Sequence, residues 1–104
     1  MQGKYSEAEA IYRQTLQLKE TVLGKDHPDT LVSMNNLANS LHNQGRYTEA
    51  EAMYRQTLQL KETVLRKDHP DTLASMMGLA NSLRNQGRYA EAEAIQRRED
   101  GKAE

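Results

Sequence analysis

The chain copies itself every 42 residues. Residues 2–43 and 44–85 align without a gap, and 34 of 42 positions are identical. A third copy starts at Gln86 and follows the pattern to Ile95 before leaving it at Gln96. A fixed period in the range of about 20–50 residues is the mark of a stacked-repeat architecture, in which each unit buries its apolar face only against its neighbours. The chain is therefore expected to be a short solenoid.

Each period is punctuated at two points. One is Lys25-Asp26-His27-Pro28-Asp29-Thr30, repeated as Lys67-Asp68-His69-Pro70-Asp71-Thr72. Proline is tolerated in a first helical turn, and Asp or His just ahead of it can cap the free N–H groups. The other is Asn43-Gln44-Gly45-Arg46-Tyr47, where glycine can take the left-handed conformation that ends a helix. Gly3 and Gly87 stand at the matching positions.

Two helices per period follow. Helix A is expected from about Pro28 to Gln44, with an apolar stripe at Leu31, Met34, Leu37, Ala38 and Leu41 spaced by threes and fours. Helix B is expected from about Thr48 to Arg66, with Ala50, Met53, Tyr54, Thr57, Leu58, Val64 and Leu65 on a broader stripe and Tyr47 at its mouth. Glu, Gln, Ala, Leu, Lys and Arg dominate the sequence, all good helix formers. The chain begins in one helix B (Ser6 to Leu23) and ends in another (Ala90 to about Arg98), so the helix order is B-A-B-A-B and the fold class all-α. The expected division is a solenoid over 1–98, made of a partial repeat (1–25), a full repeat (26–66) and a partial repeat (67–98). A charged, frayed tail is expected over 99–104. Such a chain reads as a segment of a longer array.

Charge and composition narrow the function. Fourteen basic residues against fifteen acidic leave a net charge of −1, which argues against a nucleic-acid or anionic-membrane partner held by a basic field. The absence of cysteine excludes disulfides and thiolate metal sites. No apolar run approaches the roughly 18–20 residues of a membrane span, and the N-terminus has no signal-peptide pattern. A cytoplasmic location is the natural expectation. No Gly-rich phosphate loop, nucleophile elbow or pocketed carboxylate pair is present, so neither an enzyme nor a cofactor is expected. Glu9 with Arg13, Glu51 with Arg55 and Glu93 with Arg97 lie four apart and read as a solvated face. His27 and His69 each neighbour two aspartates, yet they recur once per repeat, so helix-start caps explain them and no metal is expected.

The segment from Asn35 to Leu58, with Leu37, Ala38, Leu41, Gly45, Tyr47, Ala50, Tyr54 and Leu58 in its small-and-large pattern, resembles a tetratricopeptide repeat. The usual period of that family is about 34 residues; this one is longer. The long form with His-Pro-Asp-Thr between repeats resembles kinesin light chain repeats and the arrays of fungal and bacterial nucleotide-binding signalling proteins. The resemblance implies a right-handed superhelix of helical hairpins that binds peptides or proteins along a concave side lined by helix A. It places Asn35, Asn39 and His42 of the first full copy, and Met77, Asn81 and Arg84 of the second, on that side. Asn36 joins them because light-chain-like repeats use asparagines at the positions of Asn35 and Asn36 to contact cargo peptides; the second copy has Met77 and Gly78 there. The family's carboxylate clamp would need a lysine where Asn35 and Met77 stand.

Four of the eight differences between copies fall on helix A: Val32 against Ala74, Asn35 against Met77, Asn36 against Gly78 and His42 against Arg84. That divergence fits a binding face. A second expectation is self-assembly through near-identical ends, driven by an exposed helix-B face at Leu16, Val22 and Leu23.

Overall fold

The computed structural model of the protein describes residues 2–64 and 70–103. These form five α-helices: α1 (Gln2–Leu23), α2 (Pro28–Asn43), α3 (Tyr47–Val64), α4 (Pro70–Asn85) and α5 (Tyr89–Ala103). Helices α2 and α4 are the A helices; α1, α3 and α5 are the B helices. Each A helix packs between two B helices, α2 between α1 and α3 and α4 between α3 and α5, and α2 also touches α4. The thin direction measures 16 Å, room for two helix layers at the usual spacing of about 8–10 Å. The fold is a helical-hairpin solenoid.

The helix boundaries follow local chemistry. His27 has extended backbone, and its Nδ1 accepts the Asp29 N–H at 3.1 Å, while Pro28 occupies the first helical turn. His27 is thus a cap, as its recurrence suggested; His69 lies outside the described residues. At the far end of α2, Gly45 has φ of +80°, its N–H reaches the His42 carbonyl at 2.9 Å, and the Arg46 N–H reaches Leu41 at 3.0 Å. This pair of bonds satisfies carbonyls that a helix end otherwise leaves open. Gly87 and Arg88 repeat it after α4.

Two boundaries differ from expectation. The helix α1 starts at Gln2, so Gly3 lies within its first turn. The last helix runs on to Ala103, so α5 is longer than the expected Ala90 to about Arg98. Glu99, Lys102 and Ala103 favour helix, whereas Asp100 and Gly101 oppose it, Gly101 by about 1 kcal/mol.

The core follows the A helices. Leu31, Leu37 and Leu41 of α2 and Met76, Leu79 and Leu83 of α4 are all but fully buried, each inserted between two B helices. Full burial of such a side chain contributes about 1.5–3 kcal/mol. Helix α3 adds Ala50, Tyr54 and Leu58, and α5 adds Ala92 and Ile95, whereas α1 buries only Leu16 among its hydrophobic residues. No helix among the described residues is long and apolar enough to cross a membrane.

Candidate functional site

Where α2 and α4 lie side by side they form a groove of about 320 Å³. Asn35, Asn39 and His42 line it from α2, and Ala74, Met77, Gly78 and Asn81 line it from α4, with Tyr54 of α3 beneath. The residues of α2 recur at steps of four and three, which keeps them on one helix face. Asn36 and Arg84 do not line it. Asn36 opens instead on a neighbouring cleft with Tyr5, Tyr12 and Ser40. Arg84 stands outside and reaches across to α5, donating from Nη1 to Asn81 Oδ1 at 2.8 Å and from Nη2 to Gln96 Oε1 at 3.2 Å.

The floor of the groove explains one difference between the copies. A Cβ on Gly78 would lie 2.5 Å from the Tyr54 ring, closer than any real side chain stands. Glycine there lets Tyr54 bury to 2% exposure. Its hydroxyl donates to Asn39 Oδ1, and burial pushes the phenol up to about 12. The exchange of Asn36 for Gly78 is therefore a packing adjustment, which comparison of the copies alone did not reveal.

Two more polar chains support the groove. Lys61, 4% exposed, donates to Ser75 Oγ at 3.0 Å, and Ser75 donates to Asn35 Oδ1 at 2.9 Å. Ser82 Oγ sits 3.0 Å from His42 Nδ1, and the imidazole meets Tyr47 edge-on at 5.0 Å. Burial draws the His42 pKa below its ordinary value, so the ring is neutral at pH 7. No sequence spacing announced either chain, because both join side chains on different helices.

Glu9 and Glu51 are not the solvated acids the sequence suggested. Glu51 accepts from Arg55 Nε at 2.9 Å, from Gln86 Nε2 at 3.0 Å and from Arg88 Nη1 at 2.6 Å. Glu9 repeats the arrangement with Arg13 at 2.8 Å, Gln44 at 3.1 Å and Arg46. Each carboxylate thus latches one B helix to the Gln-Gly-Arg turn of the next repeat. The Arg13 hydrogen bond leads in holding the Glu9 carboxyl below the usual range, with Gln44 and Arg46 assisting against burial. For Glu51, burial opposes ionisation, but the Gln86 and Arg55 hydrogen bonds and the Arg88 charge outweigh it and lower the pKa. Among the described residues Glu93 pairs with Arg97 of its own helix, at 2.9 Å, with its side chain 66% exposed.

The proposed self-association face also changes. Leu16 is not on it: the side chain is 9% exposed and belongs to the core, because it turns toward Leu37 and Met53. Val22 and Leu23 are exposed, at 76% and 39%, and Ile11 and Leu18 are each 62% exposed. Ile11, Leu18 and Val22 are spaced by seven and four, so they share one face of α1. Met53 and Leu60, their counterparts on α3, pack against the core.

The fold and its paired helices define a helical-repeat solenoid with a concave groove. A tetratricopeptide repeat family model matches residues 1–63 and 32–98, and the chain belongs to that family. It is similar to two crystal structures of a putative kinesin light chain from Podosopora anserina with nearly identical TPR-like repeats, one of them a Q17M form. Identity is 27% in both, with TM-scores of 0.82 and 0.81 (the latter for Q17M) over 97% and 96% of this chain. The chain spans 47–48% of those chains. It is also 58% identical over 33 residues to a nucleotide-binding leucine-rich repeat (NLR)-like protein from Hyaloscypha variabilis, a match covering 32% of this chain and 3% of that protein.

Proposed function

We propose that the chain is a non-enzymatic docking scaffold, part of a longer array in the cytoplasm, that takes a peptide or protein segment along the groove between α2 and α4. The observation carrying this reading is the gathering of Asn35, Asn39, His42, Met77 and Asn81 around one open volume. Membership of a repeat family that binds proteins and peptides supports it, as does a net charge of −1, which offers nothing to nucleic acid. Two A helices make a short groove, so affinity is expected in the micromolar range or weaker. Asn39→Ala combined with Asn81→Ala is expected to abolish binding, measured by calorimetric titration. A ligand that bound the double variant unchanged would remove the groove from consideration.

A second reading rests on the exposed Ile11, Leu18, Val22 and Leu23 of α1. It makes this end of the solenoid a self-association surface. Light scattering across a hundredfold dilution separates the two readings. A mass that climbs with concentration and returns to 11.8 kDa in Leu18→Glu/Val22→Glu supports assembly; a constant monomer sinks it.

A further inference from the structure

The amide groups of the groove all face the same way chemically. Tyr54 donates its hydroxyl to the oxygen of Asn39. Ser75 accepts from the Lys61 ammonium, so its own hydrogen goes to the oxygen of Asn35. The oxygen of Asn81 accepts from a guanidinium, which can only donate. In all three the oxygen already accepts one hydrogen bond from the chain, and the N–H2 group has no partner among the described residues. The Ser82 hydroxyl and His42 Nδ1 are likewise paired with each other, which leaves His42 Nε2 as the ring nitrogen with no partner among the described residues. Asparagine in general offers a donor pair and an acceptor; in these three both donors are free and half of the acceptor capacity is taken, so the groove carries an excess of donors.

An ordinary extended segment presents C=O and N–H groups in equal number, and its N–H groups would outnumber the acceptors left to it here. A buried donor left without a partner costs more than a hydrogen bond gains. A carboxylate-rich segment has acceptors, but no lining residue itself carries a formal charge at neutral pH, since burial keeps His42 neutral, and the neighbouring Arg84 guanidinium is turned to Asn81 and Gln96. Desolvating a carboxylate without a counter-charge is costly. A proline-rich segment meets both conditions: its carbonyls stay free, its prolines have no N–H, and its rings suit the apolar floor of Ala74, Met77 and Gly78.

We infer that the groove selects a proline-rich segment in the polyproline II conformation, held through its backbone carbonyls by the amides of Asn35, Asn39 and Asn81. Lys61 and Ser75 act as positioning residues, because they turn the Asn35 amide outward. The inference rests on the groove being the docking site.

The test is an NMR titration of the ¹⁵N-labelled chain, following the side-chain amide signals of the three asparagines. Three acetylated decapeptides serve as probes: one of Pro-Pro-Leu repeats, one with alanine at every proline, and one with glutamate at every proline. The proline peptide is expected to shift all three signals and to bind at least about tenfold more tightly than the alanine peptide, the effect of roughly one unmatched donor. Asn39→Asp and Asn81→Asp keep the shape but replace donors with acceptors, and each is expected to weaken the proline peptide about tenfold or more with the thermal midpoint little changed. Ser75→Ala is expected to weaken it less, and Ser75→Thr to restore it. If the alanine or glutamate peptide shifts the same signals with equal or greater affinity, the proline inference is overturned while the groove stands. If no probe moves the groove signals, or all three move only residues elsewhere, both are overturned.

Discussion

Tyr12 and Tyr54 occupy the same place in successive copies, yet one is half-buried and the other is 2% exposed. Tyr54 lies beneath Gly78, with its hydroxyl on Asn39. Tyr12 lies in the cleft that Asn36, the counterpart of Gly78, also lines. Identical residues therefore do different work once a single neighbour changes. Two near-identical repeats are not two equal binding surfaces: the second copy has given up an asparagine to close its core.

The largest effect expected from this contrast is on stability. Tyr54→Ala should cost about 3–4 kcal/mol, in the range of large aromatic truncations in a core, and Tyr12→Ala about 1 kcal/mol. Urea unfolding midpoints measure both, and equal costs would erase the distinction. Next, Gly78→Asn makes the second copy like the first and forces a side chain into the Tyr54 ring. It should cost about 1–3 kcal/mol by overpacking, whereas Asn36→Gly should cost only the helix-propensity difference, a few tenths of a kcal/mol. Combining Gly78→Asn with Tyr54→Leu should cost less than the sum of the two, because the clash is shared.

The latches extend the contrast to the carboxylates. Glu51→Gln should cost about 1–2 kcal/mol, since it removes a charge that three donors share, while Glu93→Gln should change nothing measurable. The smallest effect is in pH. Glu9 and Glu51 have pKa values below the ordinary 4.5 in the fold, so each adds stability that is present above that value. It is lost as pH falls from 4.5 through their lower folded values, when the native state must take up protons. The acid limb of the stability curve should be shallower in Glu51→Gln than in the parent chain; an unchanged slope would mean that Glu51 is not latched.

The fold was legible because its signals are local. The period, the proline and glycine punctuation and the stripe from Leu31 to Leu41 all lie within one repeat, and one repeat is what the sequence displays most openly. The groove residues of α2 were legible for the same reason: Asn35, Asn39 and His42 share a helix face. What escaped notice joins separate helices. Glu51 reads as a partner of Arg55 four residues on, and nothing in that spacing reveals Gln86 and Arg88. Leu16 reads from the sequence as part of an exposed end, but the end helix turns this residue into the core beside Leu37 and Met53. Gly78 looks like drift until the Tyr54 ring is seen filling the place of its missing side chain.

The latch has a consequence for how such a chain changes length over evolutionary time. Its acceptor, Glu9 or Glu51, and its donors, in Gln44-Gly45-Arg46 or Gln86-Gly87-Arg88, are written into the same 42-residue unit at constant positions. A recombination event that inserts or deletes one whole unit recreates an intact junction on both sides. No compensating mutation is needed. The chemistry that joins the repeats therefore makes the whole 42-residue unit the step by which such an array can change length.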